Sequence, residues 1–222
     1  CRLRGDFHSN LLLFCRAIRA LCGVRSGLWG GPWIIRLAAD GTAALSAARS
    51  PPPRVLGVLA AQPLTTSRLE LEPLRAEHAS ELAPVLDDPA LHAFTGGAPG
   101  SEHELRARFA RQAAGRSPDG TQAWLNWVVR DRDTHDAVGT LQATVHDHGR
   151  AAELAWVVAT SRQGEGLATE AATAVRDALR ADGVATFVAH IHPDHAASAA
   201  IARRLGLQPT QPGDDGEIRW VG

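Results

Sequence analysis

Between Arg68 and Leu74, Leu69 and Leu71 alternate with Arg68, Glu70 and Glu72, the period-two pattern of a strand with one buried face and one wet face. Glu77 to Leu86 changes to helical spacing, although Pro84, which lacks an N–H, should kink or shorten that helix. Asp87-Asp88-Pro89 ends it, and Gly96 to Gly100 reads as a loop. Ser101 and Glu104 have capping-box spacing, and Leu105, Phe109 and Ala113 then line one face of a second helix. Two strand-like runs follow, Gln122 to Arg130 and Ala137 to His146, joined by the polar segment 131–136. In the second run Gly139, Leu141, Ala143 and Val145 share one face, and Thr140, Gln142 and Thr144 share the other. This predicts an antiparallel hairpin.

Ala151 to Val158 predicts another strand. Leu167 to Ala181 predicts a helix with Leu167, Ala171, Ala174, Val175 and Ala178 on its apolar side, and Val184 to Ile191 a further strand. Strand, helix, strand in that order implies a parallel pair linked by a crossover helix. Pro193 breaks the chain, and Asp194 or His195 starts a last helix whose apolar positions are Ala197, Ala200, Ile201 and Leu205, ended by Gly206. Glu217 to Val221 predicts a closing strand.

Charge divides the chain at about residue 60. Residues 1–60 hold eight Arg against two acids, whereas 61–222 hold fifteen Arg against twenty-two acids, so a total of -1 conceals two unlike parts. We expect residues 1–61 to be an Arg-rich extension, either with little stable structure or lying upstream of the native start, and 62–222 to form the domain. All three cysteines, Cys1, Cys15 and Cys22, lie in the extension, so the domain has no thiol for a disulfide or a metal. No stretch approaches the roughly 20 apolar residues of a membrane span. The expectation is a cytoplasmic protein that needs neither membrane nor nucleic acid, with monomer and homodimer both open.

The chemistry concentrates where the strand ending at Val157 and Val158 passes through Gln163-Gly164-Glu165-Gly166 into the helix opening with Leu167 and Ala168. A helix N-terminus leaves backbone N–H groups without internal partners, and its dipole favours an anion. Gly164 and Gly166 let the backbone approach a diphosphate without Cβ interference. Lys is absent, which excludes a P-loop, and Thr169 stands where a dinucleotide fingerprint needs a small third residue.

Gln163, Gly166 and Ala168 fill the three fixed places of the acyl-CoA-binding motif of the GCN5-related N-acetyltransferase (GNAT) superfamily, which this segment resembles. Glu170-Ala171 continues as in the branch that acetylates ribosomal-protein N-termini. The resemblance implies an α/β fold with a mixed, mostly antiparallel sheet, a central parallel splayed strand pair and helices on both faces. It implies acetyl-CoA as acyl donor, laid along Val157 and Val158 with its phosphates on Gln163, Gly164, Glu165, Gly166, Leu167 and Ala168, and no metal.

Glu153 sits in the strand before the turn, where members of the superfamily carry a carboxylate that takes the amine proton through a water; a solvent-facing strand-end carboxylate is the plain alternative. Superfamily members often protonate the thiolate with a Tyr, and this chain contains none. Ser198 is the available partner for the sulfur, against its reading as an ordinary helix-start residue. His195 replaces the Asn that commonly stands three residues before this Ser, and is expected beside the cofactor. His190 and His192 share a strand face but lack the ligands of a zinc site.

The amine acceptor follows from proton affinity. A peptide α-ammonium has a pKa near 8 and a lysine one near 10, so neutral pH favours a protein or peptide N-terminal amine. A small-molecule amine, or a catalytically silent acyl-CoA-binding sensor, are the competing readings.

Overall fold

The computed structural model describes residues 59–94, 100–213 and 216–222. Residues 1–58, which hold the three cysteines and most of the expected extension, and residues 95–99, where most of the expected loop falls, lie outside the described residues.

Among the described residues eight strands form one sheet in the order β1-β2-β3-β4-β5-β6-β8-β7. They are β1 (Leu64–Thr65), β2 (Leu69–Pro73), β3 (Ala123–Asp131), β4 (Ala137–His146), β5 (Ala151–Val158), β6 (Thr186–Ile191), β7 (Gln208–Pro212) and β8 (Ile218–Val221). Every neighbouring pair is antiparallel except β5 and β6. Among the described residues four α-helices accompany the sheet: α1 (Ala79–Leu86), α2 (Glu102–Ala113), α3 (Leu167–Ala181) and α4 (Ala196–Arg204).

Strand alternation divides the apolar side chains into two cores. On one face Leu125, Trp127, Val129, Leu141 and Leu154 pack beneath α3 and α4 with Leu167, Val175, Phe187 and Leu205. On the other, Val128 and Leu74 pack with Leu82 of α1 and Leu105 and Phe109 of α2. Each such side chain, fully buried, contributes about 1.5–3 kcal/mol. Leu59, Ala61 and Leu64 lean on the first core.

The pattern reading holds for the order and type of the elements it named, with local corrections. A 3₁₀ turn at Ala76–His78 precedes α1, and Pro84 is accommodated inside the helix. Ala113 is exposed, because α2 ends there. In α3, Ala172 and Leu179 are buried where Ala174 and Ala178 were expected. In α4, Ala197 and Ala200 face solvent and Ala202 is buried, so the inward face runs through Ser198, Ala202 and Leu205. Ala-rich helices carry too little contrast between faces to fix rotation from sequence. Strands β1 and β7 had no counterpart in the pattern reading; β1 is two residues long and β7 is exposed throughout.

Candidate functional site

The parallel pair begins in register and then parts. Ala151, Ala152 and Glu153 of β5 pair with Thr186, Phe187 and Val188 of β6, and no pairing continues beyond Glu153. Residues 154–158 stay bonded to β4 on their other side. The opening runs into a cavity of about 720 Å³, bordered by Leu154 to Val157 on one arm, Ala189 to His192 on the other, and α2 across the top. A splayed strand exposes backbone donors and acceptors that an extended ligand arm can pair with, as an added strand would.

Gly139 supports the β5 arm. A Cβ there would overlap the Val157 carbonyl, so only glycine lets β4 approach the end of β5 this closely.

Glu153 stands where the strands part, half-buried, opposite Thr144 of β4. Burial first, and then the charge of Glu217, raises its pKa from 4.5 to about 7, against the opposing charge of Arg219. Near neutral pH this carboxyl is poised between its two protonation states, as a proton carrier should be. Ser198 lines the same cavity, and its hydroxyl accepts a hydrogen bond from Trp156 Nε1 at 3.3 Å. His195 caps α4, its Nδ1 accepting from the Ser198 N–H at 3.5 Å, while its ring stacks on Phe94 at 4.4 Å. Burial and then His192 keep the His195 pKa below the ordinary histidine value. The structure therefore brings Glu153, Ser198, Val157 and His195 to one cavity.

Val158 and the turn at 163–168 lie beyond the cavity, past the end of β5. Gly164 and Gly166 have φ of 82° and 81°, a left-handed conformation that strains any other L-residue. Gly166 itself occupies the N-cap of α3, so no side chain caps the helix, and the N–H groups of its first turn remain available to a ligand. A Cβ on Gly164 would meet nothing within 4 Å, so the turn is open rather than blocked.

Two arginines hold this turn in shape. Arg162 bonds Asp131 Oδ2 at 2.7 Å and the Glu165 carboxylate at 2.9 and 3.0 Å. Arg68 bonds the Glu165 carbonyl at 3.0 Å and the Glu170 carboxylate at 2.8 Å. Glu170 also accepts from Thr66 Oγ1 at 2.6 Å, Ser67 Oγ at 3.0 Å and the Arg68 N–H at 3.0 Å. Burial would raise its pKa, but these bonds outweigh it and hold the carboxyl down at about 2. Gln163 Nε2 donates to the Val158 carbonyl at 3.1 Å, tying the turn back to β5. Glu165, expected to contact the cofactor, thus has its side chain engaged by Arg162 and offers its backbone.

The acetyltransferase (GNAT) domain profile matches residues 68–208, well over half of the chain. The chain belongs to the GNAT acetyltransferase family. No curated protein sequence matches the chain. Among solved structures, RimL, a ribosomal L7/L12 α-N-protein acetyltransferase in complex with coenzyme A, is 19% identical with a TM-score of 0.63, over 72% of this chain and 97% of that one. An acetyltransferase from Agrobacterium tumefaciens is 24% identical with a TM-score of 0.58, over 74% and 95%. The aminoglycoside acetyltransferase AAC(6')-Ib in complex with coenzyme A is 16% identical with a TM-score of 0.58, over 69% and 94%. At these identities the likeness is one of fold.

Glu217, Arg108 and the polar row Asn126, Gln142 and Thr144 were missed by sequence reasoning, although all border the cavity. Thr140, Gln142 and Thr144 were recognised as one strand face, and that polar face under a helix was the available signal. Trp124 bonds Gln122 through Nε1 and lies outside the cavity lining, whereas Trp127 and Trp156 border the cavity. Among the described residues no group of three or more His, Cys, Asp or Glu side chains converges as a metal site would, and no helix is long and apolar enough to cross a membrane.

Proposed function

We propose that this acetyltransferase takes its acetyl group from acetyl-CoA and transfers it to the N-terminal amine of a protein or peptide, by direct attack within a ternary complex. The observation that carries this reading is Glu153, with a pKa of about 7, at the point where β5 and β6 separate. Taking a proton from an α-ammonium of pKa near 8 then costs about 1.4 kcal/mol, whereas a lysine ammonium of pKa near 10.4 costs about 5 kcal/mol. The base is matched to the first and poorly matched to the second.

Acetyl-CoA supplies the activated thioester. The backbone of Gln163, Gly164, Glu165, Gly166, Leu167 and Ala168 would hold its pyrophosphate, a fit supported by the left-handed glycines, the uncapped helix start and the two arginine braces. Val157 and Val158 would receive its extended arm, and His195 borders that path. Glu153 accepts the amine proton through a water. Ser198, with its hydroxyl oriented by Trp156, stands on the sulfur side; a thiol of pKa near 8.5 needs little acid help to leave. In the same reading residues 62–222 are the catalytic unit, cytoplasmic, with the packed residues just before it retained in any truncation.

Calorimetry with acetyl-CoA, followed by thiol release with a panel of α-amino peptides, lysine side-chain amines and aminoglycosides, tests the proposal. Binding with turnover on α-amino peptides is expected. Binding without turnover on any amine selects the sensor reading, and turnover on aminoglycosides alone selects the small-molecule one.

A further inference from the structure

The α2 wall of the cavity that holds Glu153 carries two arginines. Arg108 and Arg111 lie on α2 and border the cavity that also holds Glu153. Arg108 Nε is fully buried. Burial, and after it the charge of Arg111, hold the Arg108 pKa below the usual guanidinium value. Glu104, one turn earlier and also at the cavity, is engaged by the α2 cap: its Oε2 accepts from Ser101 N at 2.8 Å and Ser101 Oγ at 2.9 Å.

A continuous row of amides connects this wall to the base. Gln112, one helical turn after Arg108, donates from Nε2 to Gln142 Oε1 at 3.3 Å. Gln142 Nε2 donates to Thr144 Oγ1 at 3.0 Å, and Thr144 is the β4 partner of Glu153. Asn126 Nδ2 fixes the helix end of the row by donating to the Gln112 carbonyl at 3.4 Å. A ligand along this row has a carboxylate at one end to receive its amine and a guanidinium at the other.

We infer that the acceptor is an acidic peptide N-terminus, whose α-amine meets Glu153 and whose carboxylate side chain, one to three residues on, is received by Arg108. The inference rests on the N-terminal reading above and adds the charge of the sequence acetylated. A guanidinium matches a carboxylate in a two-pronged bond, and desolvation strengthens that bond while penalising a cation brought to the same place. A polycationic acceptor such as an aminoglycoside fits this wall badly.

The test uses tetrapeptides with a free α-amine, carrying Asp, Asn or Lys at the second, third or fourth position, and kcat/KM from thiol release. At the best position the Asp peptide should exceed the Asn peptide about tenfold or more, the yield of a charged hydrogen bond, and exceed the Lys peptide further. Arg108→Gln should bring the Asp-to-Asn ratio close to one, and Arg106→Gln, on the exposed side of the helix where Arg106 pairs with Glu102, should preserve it. Acetyl-CoA affinity reports whether each variant is folded. If Arg108→Gln does not fold, Arg108→Lys, which keeps the charge and loses the two-pronged geometry, should lower the Asp-to-Asn ratio. Turnover with equal rates for Asp and Asn, a preference for Lys, or an Asp preference that survives Arg108→Gln or Arg108→Lys unchanged overturns this inference and leaves N-terminal acetylation standing. No turnover on any peptide removes both.

Discussion

Replacing Glu153 by Gln should make the protein more stable and far less active. The carboxyl titrates at about 7 in the folded chain against 4.5 unperturbed. Each pH unit of difference is worth about 1.4 kcal/mol, so holding Glu153 ionised in the fold above pH 7 costs about 3 kcal/mol. The sign follows from proton counts: between 4.5 and about 7 the native state binds more protons at this site than the unfolded chain, so stability falls as pH rises through that window. Gln does not titrate and has nearly the same shape. Urea denaturation of both proteins from pH 4.5 to 8, followed by Trp fluorescence, should show Glu153→Gln gaining up to about 3 kcal/mol on the wild type as pH rises. Turnover should fall about 10²- to 10⁴-fold, the worth of a general base, with acetyl-CoA affinity little changed. A stability difference that is flat with pH refutes the buried, shifted carboxyl; retained turnover refutes the base.

Gly166→Val forces a branched side chain into φ 81° and should weaken acetyl-CoA binding at least tenfold by calorimetry, with a small loss of Tm. Glu170→Ala removes the group that joins Thr66, Ser67 and Arg68 to α3; we expect a loss of about 2 kcal/mol in urea denaturation and a higher KM for acetyl-CoA. Because its pKa is depressed to about 2, the stability from Glu170 is present above pH 4.5 and declines as pH falls below it, so the wild-type and Ala stability curves should converge in acid. Ser198→Ala should lower kcat less than tenfold, since the thiolate leaves with little help, and a larger loss would mark the hydroxyl as an acid.

Glycines and apolar periodicity made much of this molecule legible beforehand. The alternation at Arg68 to Leu74 and at Thr140 to Val145 is a local property of the strand, and its faces emerged as expected. Gly164 and Gly166 announce a backbone conformation that other residues reach only under strain, so the turn could be read from two letters. The rotation of α4 could not, because Ala197, Ala200 and Ala202 are chemically identical and only the neighbouring elements decide which is buried. Nothing in the spacing around Arg108 sets it apart from the other helix cations; its place at the cavity follows from α2 lying over it.

Sequence alone therefore settled the order of the elements it named, the crossover between β5 and β6 and the left-handed glycine turn, since each arises from interactions among residues near in the chain. Tertiary structure decided where β5 and β6 part, how burial and Glu217 lift Glu153, and how Arg68, just before β2, and Asp131 from β3 reach the turn. Those effects depend on distance and solvent exclusion between residues far apart in sequence, and charge energies change several-fold with both.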